Sequence, residues 1–422
     1  MSTTSRTRSL GDKGYRAAAW TVVLAACTAA GAMAQSPPAA TGTGPSTPPG
    51  PVASVLPGTS PAPIGPDGLG PAPAPPIGAP WTIAFASPVS QVDASIIVQC
   101  GGGFTFMAGG GDGPRHNRAR FWTSPDGHAW SRAGTLRPDP GPPTYWLVTE
   151  LVAFRGSLLA LGGDGRHLAV WRSGNCGRSW HRLHGPAFAL GSHAYGISHG
   201  VEAAVTGDRM LVIARQGGEE IPPRQWAWTV DGDGHWRRIP RGLYHALDGG
   251  LGSTGTSFFA TRWVPGKGGD FLVTSPDGRT WTTLGLLPSE TDVTWDPDGH
   301  RFLAISGEQH AGGTASPQLW QSPDGVTWSL LATGSPTDEA FGSRVAAGRG
   351  QLIWALDTGF PDVDKDPWSW IATSTDGGLT WSVSAGWQGL ALDGARSIVI
   401  GPQSTLIAGG GWYHGPRIWT NR

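Results

Sequence analysis

The sequence predicts an all-β fold in which one four-stranded unit repeats around a ring, and three observations predict it. The first is a short turn written again and again: Ser124-Pro-Asp126-Gly127-His-Ala-Trp130, Ser173-Gly-Asn175-Cys-Gly177-Arg-Ser-Trp180, Ser275-Pro-Asp277-Gly278-Arg-Thr-Trp281, Ser322-Pro-Asp324-Gly325-Val-Thr-Trp328 and Ser374-Thr-Asp376-Gly-Gly378-Leu-Thr-Trp381, with a degenerate copy at Thr229-Val-Asp231-Gly-Asp-Gly234-His-Trp236. The second is their spacing. Successive tryptophans lie 50, 56, 45, 47 and 53 residues apart, the length of a propeller blade. The third is the set of short apolar runs before each turn, of strand length and bounded by Gly and Asp.

The turn has a physical logic. Asp or Asn accepts hydrogen bonds from backbone amides one or two residues on, and Ser or Thr does so more weakly, replacing bonds that the reversing chain gives up. Gly takes the positive φ of a tight reversal. Trp then sets a large apolar ring between neighbouring sheets, with its indole N–H left to find an acceptor. The residues assigned to this structural role are Asp126, Trp130, Asn175, Trp180, Asp231, Trp236, Asp277, Trp281, Asp324, Trp328, Asp376 and Trp381.

Working back from each turn gives the strands. The second unit reads Glu150-Leu-Val-Ala-Phe, a turn at Arg155-Gly156, Ser157-Leu-Leu-Ala-Leu, then Leu168-Ala-Val-Trp171. The last copy runs through Ser397-Ile-Val-Ile, Thr405-Leu-Ile-Ala and Arg417-Ile-Trp419-Thr, and ends at Arg422 one strand short. The missing strand lies at the other end, because Pro80-Trp81-Thr82-Ile83 matches the Trp-Thr or Trp-Ser that opens every fourth strand, and Trp81 precedes Trp130 by 49 residues. Pairing the two ends removes two exposed sheet edges. The expected fold is therefore a seven-bladed β-propeller of four-stranded antiparallel blades, its last blade closed by the strand near Trp81.

The turns resemble the Asp-box (BNR, or sialidase-type) repeat, Ser-x-Asp-x-Gly-x-Thr-Trp, from about residue 80 to the end. The resemblance implies a box between the third and fourth strands of each blade, on the face away from the ligand pocket. It speaks for fold more than for activity, since such boxes also occur in non-catalytic propellers, including photosystem assembly factors and sortilin-like receptors.

Three segments are expected: an export signal over 1–34, a Pro/Ala/Gly-rich disordered linker over 35–79, and the propeller over 80–422. Arg6, Arg8, Lys13 and Arg16 precede an apolar run from Ala17 to about Ala34, the charged-then-apolar layout of an export signal. Leu24-Ala-Ala-Cys27 resembles a bacterial lipobox, which implies lipidation of Cys27 and a membrane anchor; Ala32-Met-Ala34 offers ordinary cleavage and release instead. Either outcome places the protein in the cell envelope or outside the cell. The linker is too poor in apolar residues to fold. With Lys plus Arg at 30 against 31 acids the net charge is −1, so no field recruits nucleic acid. Cys100 and Cys176 could pair in an oxidising compartment, but the reading puts Cys100 toward the axis and Cys176 toward the rim, which sets against a bond.

Function is expected on the opposite face, where loops between blades and between second and third strands gather. The candidate ligand-binding residues there are Arg115, His116, Arg166, His167, Arg262, Trp263, His310, Trp412, Tyr413 and His414, a mixture of rings and charges suited to a glycan, a peptide or an envelope protein. The alternative is a divergent glycoside hydrolase. The resemblance to sialidases implies an acid/base Asp in an early blade, for which Asp112 and Asp164 are candidates, each with an Arg nearby; Glu219 or Glu308 would serve as partner. The first-strand Arg-Ile-Pro of sialidases is absent, since Val92-Asp93-Ala stands in its place, and Arg238-Ile239-Pro240 follows a box Trp. No two of His116, His167, His310 and His414 share a metal-type spacing and no phosphate loop occurs, so neither metal nor cofactor is expected. Binding is the preferred reading.

Overall fold

The computed structural model describes residues 63–64, 81–87, 94–109, 119–136, 147–163, 167–185, 188–190, 200–218, 221–240, 247–264, 267–288, 292–309, 315–334, 340–358, 368–388, 395–411 and 415–421. It is an all-β, seven-bladed propeller, each blade a four-stranded antiparallel sheet whose strands follow one another outward from the axis. The inner strands, in blade order, are Ala94–Cys100, Leu147–Phe154, Val201–Thr206, Leu247–Ser253, Asp292–Asp296, Ala340–Gly348 and Ala395–Ile400. Each touches the next all the way round, the last touching the first. A two-residue strand, Pro63–Ile64, runs parallel to the outer strand Ser329–Gly334 of blade 5.

Closure follows the expectation from the chain ends. Thr82–Ala86 forms the outer strand of blade 7 against Gly415–Asn421, with Thr82 opposite Thr420 and Ile83 opposite Trp419. Burial is divided among the boundaries between blades. Phe121 and Met107 of blade 1 pack on Leu151 and Trp171 of blade 2; Val212 and Trp228 of blade 3 pack on Val152 and Leu161 of blade 2. Ile353 of blade 6 meets Ile398, Ile407, Trp419 and Trp81 of blade 7. The ring closes where Leu406 and Ile418 of blade 7 meet Ile97 and Phe106 of blade 1.

The repeated turns lie between third and outer strands and carry the expected bonds. In the first, Asp126 Oδ1 accepts from the amides of His128 (2.9 Å) and Ala129 (3.1 Å), Ser124 Oγ accepts from Gly127 N (2.8 Å), and Trp130 Nε1 donates to Gly127 O (3.0 Å). Those two amides hold the Asp126 carboxyl down at about 2. Trp180, Trp281 and Trp381 repeat the indole bond to the turn's own glycine carbonyl, whereas Trp328 Nε1 is buried without a partner. Each turn leans on the blade before it. Thr105 Oγ1 of blade 1 donates to Cys176 O, Arg209 of blade 3 to Pro276 O, Arg301 of blade 5 to Gly377 O, and Ser404 of blade 7 to Asp126 O.

That lean corrects the reading of the cysteines. Cys100 ends the inner strand of blade 1 and Cys176 sits in the turn of blade 2, yet they form a disulfide with Cα atoms 5.7 Å apart. The turn reaches inward over its neighbour's hairpin, so axis and rim meet there. Cys176 takes a φ of 55°, and the matching position in blade 6 is Gly377 at 75°, so the bond is made from a backbone shape that favours glycine.

Candidate functional site

Most of the loop-face candidates, Asp112, Asp164, Glu219, Arg115, His116, Arg166, His310, Trp412, Tyr413 and His414, lie outside the described residues. In sequence, Asp112 falls between the strands Gly103–Gly109 and Ala119–Ser124, and Asp164 between Ser157–Gly163 and Leu168–Ser173. Glu308 belongs to the second strand of blade 5, opposite Ser316, rather than to a loop. Arg262 and Trp263 also lie in a strand, opposite Phe271 and Asp270 of the third strand of blade 4, and not in its loop. His167 is exposed and bridges to Ala189.

A second group of residues is built by the inner strands and was not singled out in the sequence. Counting back along each ladder from its hairpin defines a common rung, four residues before the strand's last paired residue. Glu150 holds it in blade 2, counted from Phe154, and Glu202 in blade 3, counted from Thr206. Asp292 holds it in blade 5 and Arg344 in blade 6, counted from Asp296 and Gly348. In blade 7 the same count from Ile400 reaches Arg396, at a ladder irregularity, and in blades 1 and 4 it reaches Ile96 and Gly249. Three acids and two arginines thus share one level around the axis, nearer the loop face than the hairpin face. Gly249 leaves its place in the belt without a side chain, and a Cβ there would meet only Thr261 Oγ1 at 3.8 Å.

The belt's charges are unequally partnered. Arg215, on the second strand of blade 3, forms a two-pronged pair with Glu202 through its Nη1 and Nη2 atoms, and its Nη2 also donates to Leu247 O at 3.4 Å. Arg344 Nη1 meets Asp292 Oδ2 at 3.2 Å. Glu150 has no such partner. Its Oε1 accepts only from the adjacent Leu151 amide at 3.0 Å, and its Oε2 is buried with no hydrogen bond. Glu150 is 2 % exposed and Glu202 3 %. Burial therefore pushes the Glu150 carboxyl well above the usual carboxylate range; Glu202 adds to the rise, while the Leu151 amide and Arg344 oppose it.

Other unmet polar atoms gather near this level. Ser95 Oγ of blade 1, Arg215 Nε of blade 3 and Arg262 Nε of blade 4 are buried without hydrogen-bond partners. Buried polar groups are nearly always satisfied, by protein or by ordered water. By contrast, Thr149 Oγ1 accepts from Val201 N at 2.9 Å and Ser397 Oγ from Ile97 N at 3.1 Å, stitching neighbouring inner strands together. Among the described residues, one trio brings metal-type atoms within 4.8 Å of one another: Asp231, Asp233 and His235. It is the exposed turn of blade 3, where Asp231 Oδ1 already accepts from the amides of Asp233 and His235.

No family model matches the chain, and no curated protein matches it. Among solved structures it is similar to the GH74 xyloglucanase of Xanthomonas campestris, with a TM-score of 0.51 at 16% identity, covering 81% of this chain and 53% of that one, so this chain spans about half of the xyloglucanase. It is also similar to the α-L-arabinanase of Penicillium chrysogenum, with a TM-score of 0.43 at 12% identity over 82% of this chain and 98% of that one. The GH93 α-L-arabinofuranosidase of Fusarium graminearum gives 0.42 at 10% identity over 82% and 97%. At these identities the likeness is one of fold: a propeller shared with glycoside hydrolases.

Proposed function

We propose that this is an exported propeller, tethered to the cell envelope through a lipid on Cys27, that binds a glycan at the loop-face mouth of its axial channel. The observation that carries the reading is the belt. It sets carboxyl groups (Glu150, Glu202, Asp292) and guanidinium groups (Arg344, Arg396) around one level, with Arg215 of the second strand against Glu202 and Arg344 against Asp292, and a sugar's hydroxyl groups both donate and accept, so they answer both kinds. The loop residues named above would add rings for the apolar faces of the sugar. The Cys100–Cys176 bond supports export, because disulfides persist in oxidising compartments. The fold shared with a xyloglucanase suggests xyloglucan and its oligosaccharides as first ligands to try.

A glycan and peptide array probed with the protein, run beside hydrolysis of chromogenic glycosides, tests this. Retention of glycans without turnover is expected. Turnover that disappears in Asp112→Asn or Asp164→Asn would replace binding by hydrolysis, and retention of peptides alone would discard the glycan.

A further inference from the structure

The outer strand of a blade leaves a row of unpaired N–H and C=O groups, which natural sheets blunt with charge or with shortness. In blades 2 and 3 the outer strands are the three-residue His181–Leu183 and Trp236–Arg238, with Arg182, Arg237 and Arg238, and in blade 1 the strand Ser131–Leu136 carries Arg132. Ser329–Gly334 of blade 5 has six residues and no charge. Its edge is covered instead, by Pro63 opposite Thr333 and Ile64 opposite Gly334, running parallel to it. A strand turns the N–H groups of every second residue toward a given neighbour. Pro63 has none, so Ile64 supplies the donor, and the proline nitrogen turns outward, where it keeps a further strand from adding.

We propose that the linker is latched to the propeller: the outer edge of blade 5 is its docking site, Pro63-Ile64 is the segment that fills it, and the latch turns the loop face away from the membrane to which Cys27 is tethered. The orientation rests on the tether reading; the latch does not. Ser329–Gly334 follows the turn that ends at Trp328 and runs from the hairpin face toward the loop face, so a parallel partner points its N-terminal end at the hairpin face. The chain toward Cys27 starts from that side. Reach selects the segment. Pro-Ile-Gly occurs twice in the linker, at Pro63-Ile64-Gly65 and Pro76-Ile77-Gly78. Blade 5 lies two blades from the strand Thr82–Ala86 of blade 7, and sheets stack about 10 Å apart where they pack face to face, so the chain must cross more than about 20 Å. Ile64 precedes Thr82 by 18 residues, which span up to about 60 Å. Ile77 precedes it by 5, which span at most about 18 Å.

Thiol trapping in the full chain with Cys27→Ser tests the latch. Pro63→Cys with Thr333→Cys is expected to form an intramolecular disulfide at least about tenfold faster than Pro76→Cys with Thr333→Cys, because docking raises the effective concentration of the first pair alone. Equal rates overturn the latch, and a cross-link found only between two chains overturns it in favour of a second copy's linker. Ile64→Pro removes the donor and leaves the propeller's own sequence intact, so it is expected to speed hydrogen exchange at Ser329–Gly334; unchanged exchange overturns the docking. For the orientation, the lipidated protein is placed on vesicles of phosphatidylethanolamine and phosphatidylglycerol that carry a quencher lipid. A fluorophore is attached at Leu379→Cys, 84 % exposed in the turn of blade 6, or at Lys267→Cys, exposed between the second and third strands of blade 4. Stronger quenching at position 379 is expected, with the difference lost in Ile64→Pro; stronger quenching at position 267 overturns the orientation. Protein that stays off the vesicles defeats the tether reading and the orientation with it, and the cross-link still decides the latch.

Discussion

Glu150 and Glu202 stand on the same rung of neighbouring inner strands, yet Arg215 pairs with Glu202 alone. The consequence is a pH dependence of known sign. The folded-state pKa of Glu150 is raised well above the ordinary carboxyl value of 4.5, so the folded protein holds that proton longer than the unfolded chain. Stability from this group is intact below pH 4.5 and declines as pH rises through the raised value. Glu150→Gln removes the decline. The variant should match the parent at pH 4.5 and exceed it at pH 8, by on the order of 1–3 kcal/mol, in denaturant unfolding followed at both pH values; a variant weaker than the parent at pH 8 refutes the account.

Glu202 and Arg215 should respond in the opposite way. Removing one partner of a buried pair leaves an uncompensated charge, which costs about 3–5 kcal/mol, and Arg215 already has one unmet donor at Nε. Glu202→Ala is therefore expected to shift the unfolding midpoint sharply downward. Adding Arg215→Leu should recover much of the loss, because the double variant buries no charge. If the double variant is as weak as the single, the pair contributes through shape rather than charge.

These two glutamates also mark the limit of what the sequence discloses. The blade count and the pairing of Trp81 with the last strand were legible, because the tryptophan interval gives a register that the termini must complete. The belt was not. The inner hairpins hold two residues in blades 1, 2, 3 and 6 and four in blades 4, 5 and 7, and the second strands and the stretches joining them to the third differ in length from blade to blade. Thus Glu150, Glu202, Asp292 and Arg344 precede their tryptophans by 30, 34, 36 and 37 residues. Counting back from the inner hairpins, at Arg155-Gly156 or Arg349-Gly350, would have aligned them. The cysteine pairing was hidden for another reason: strand order within a blade says nothing about the lean of a turn over its neighbour.

The Cys100–Cys176 bond closes a sequence separation of 76 residues, and cross-links of that span typically contribute about 2–5 kcal/mol. Cys100→Ser with Cys176→Ser should lower thermal stability accordingly. Cys176→Gly paired with Cys100→Ser should lose less, because Gly suits the left-handed backbone at that position. Parallel melting of the two variants under oxidising conditions separates the backbone contribution from the bond; equal midpoints would show that the φ of Cys176 costs nothing.

Trp81 is the hinge pin of ring closure, 8 % exposed and packed with Trp419 and Ile353 across the boundary between blades 6 and 7. Trp81→Ala should cost about 3–5 kcal/mol as a buried aromatic truncation. Deleting the chain up to residue 87 should do more, because it unpairs Gly415–Asn421 and leaves a bare sheet edge that recruits other chains. Light scattering on warming distinguishes the two variants. The deletion should aggregate and the point variant should only melt early; a deletion that stays monomeric and melts with the parent would mean that the ring does not depend on its closing strand.

The turn acids set the acid limit of the fold. Asp376 accepts from Thr380 through both its hydroxyl (2.6 Å) and its amide (2.9 Å), and these bonds hold the carboxyl down at about 2 from 3.8. A depressed folded-state pKa gives stability that is present above pH 3.8 and lost as pH falls toward 2. The group is largely exposed, so screening keeps the contribution modest. Asn175 shows that an amide serves the same turn, since its Oδ1 accepts from Ser179 N at 2.9 Å in blade 2. Asp376→Asn should therefore melt within roughly 1–3 °C of the parent near neutral pH and lose less stability between pH 4 and pH 2. Asp376→Ala, with no acceptor for either bond, should be weaker than both at neutral pH. Melting curves for the three proteins at pH 7, 4 and 2 check the ordering, and an Asn variant that follows the parent's acid limb would move the cause of that limb to other carboxylates.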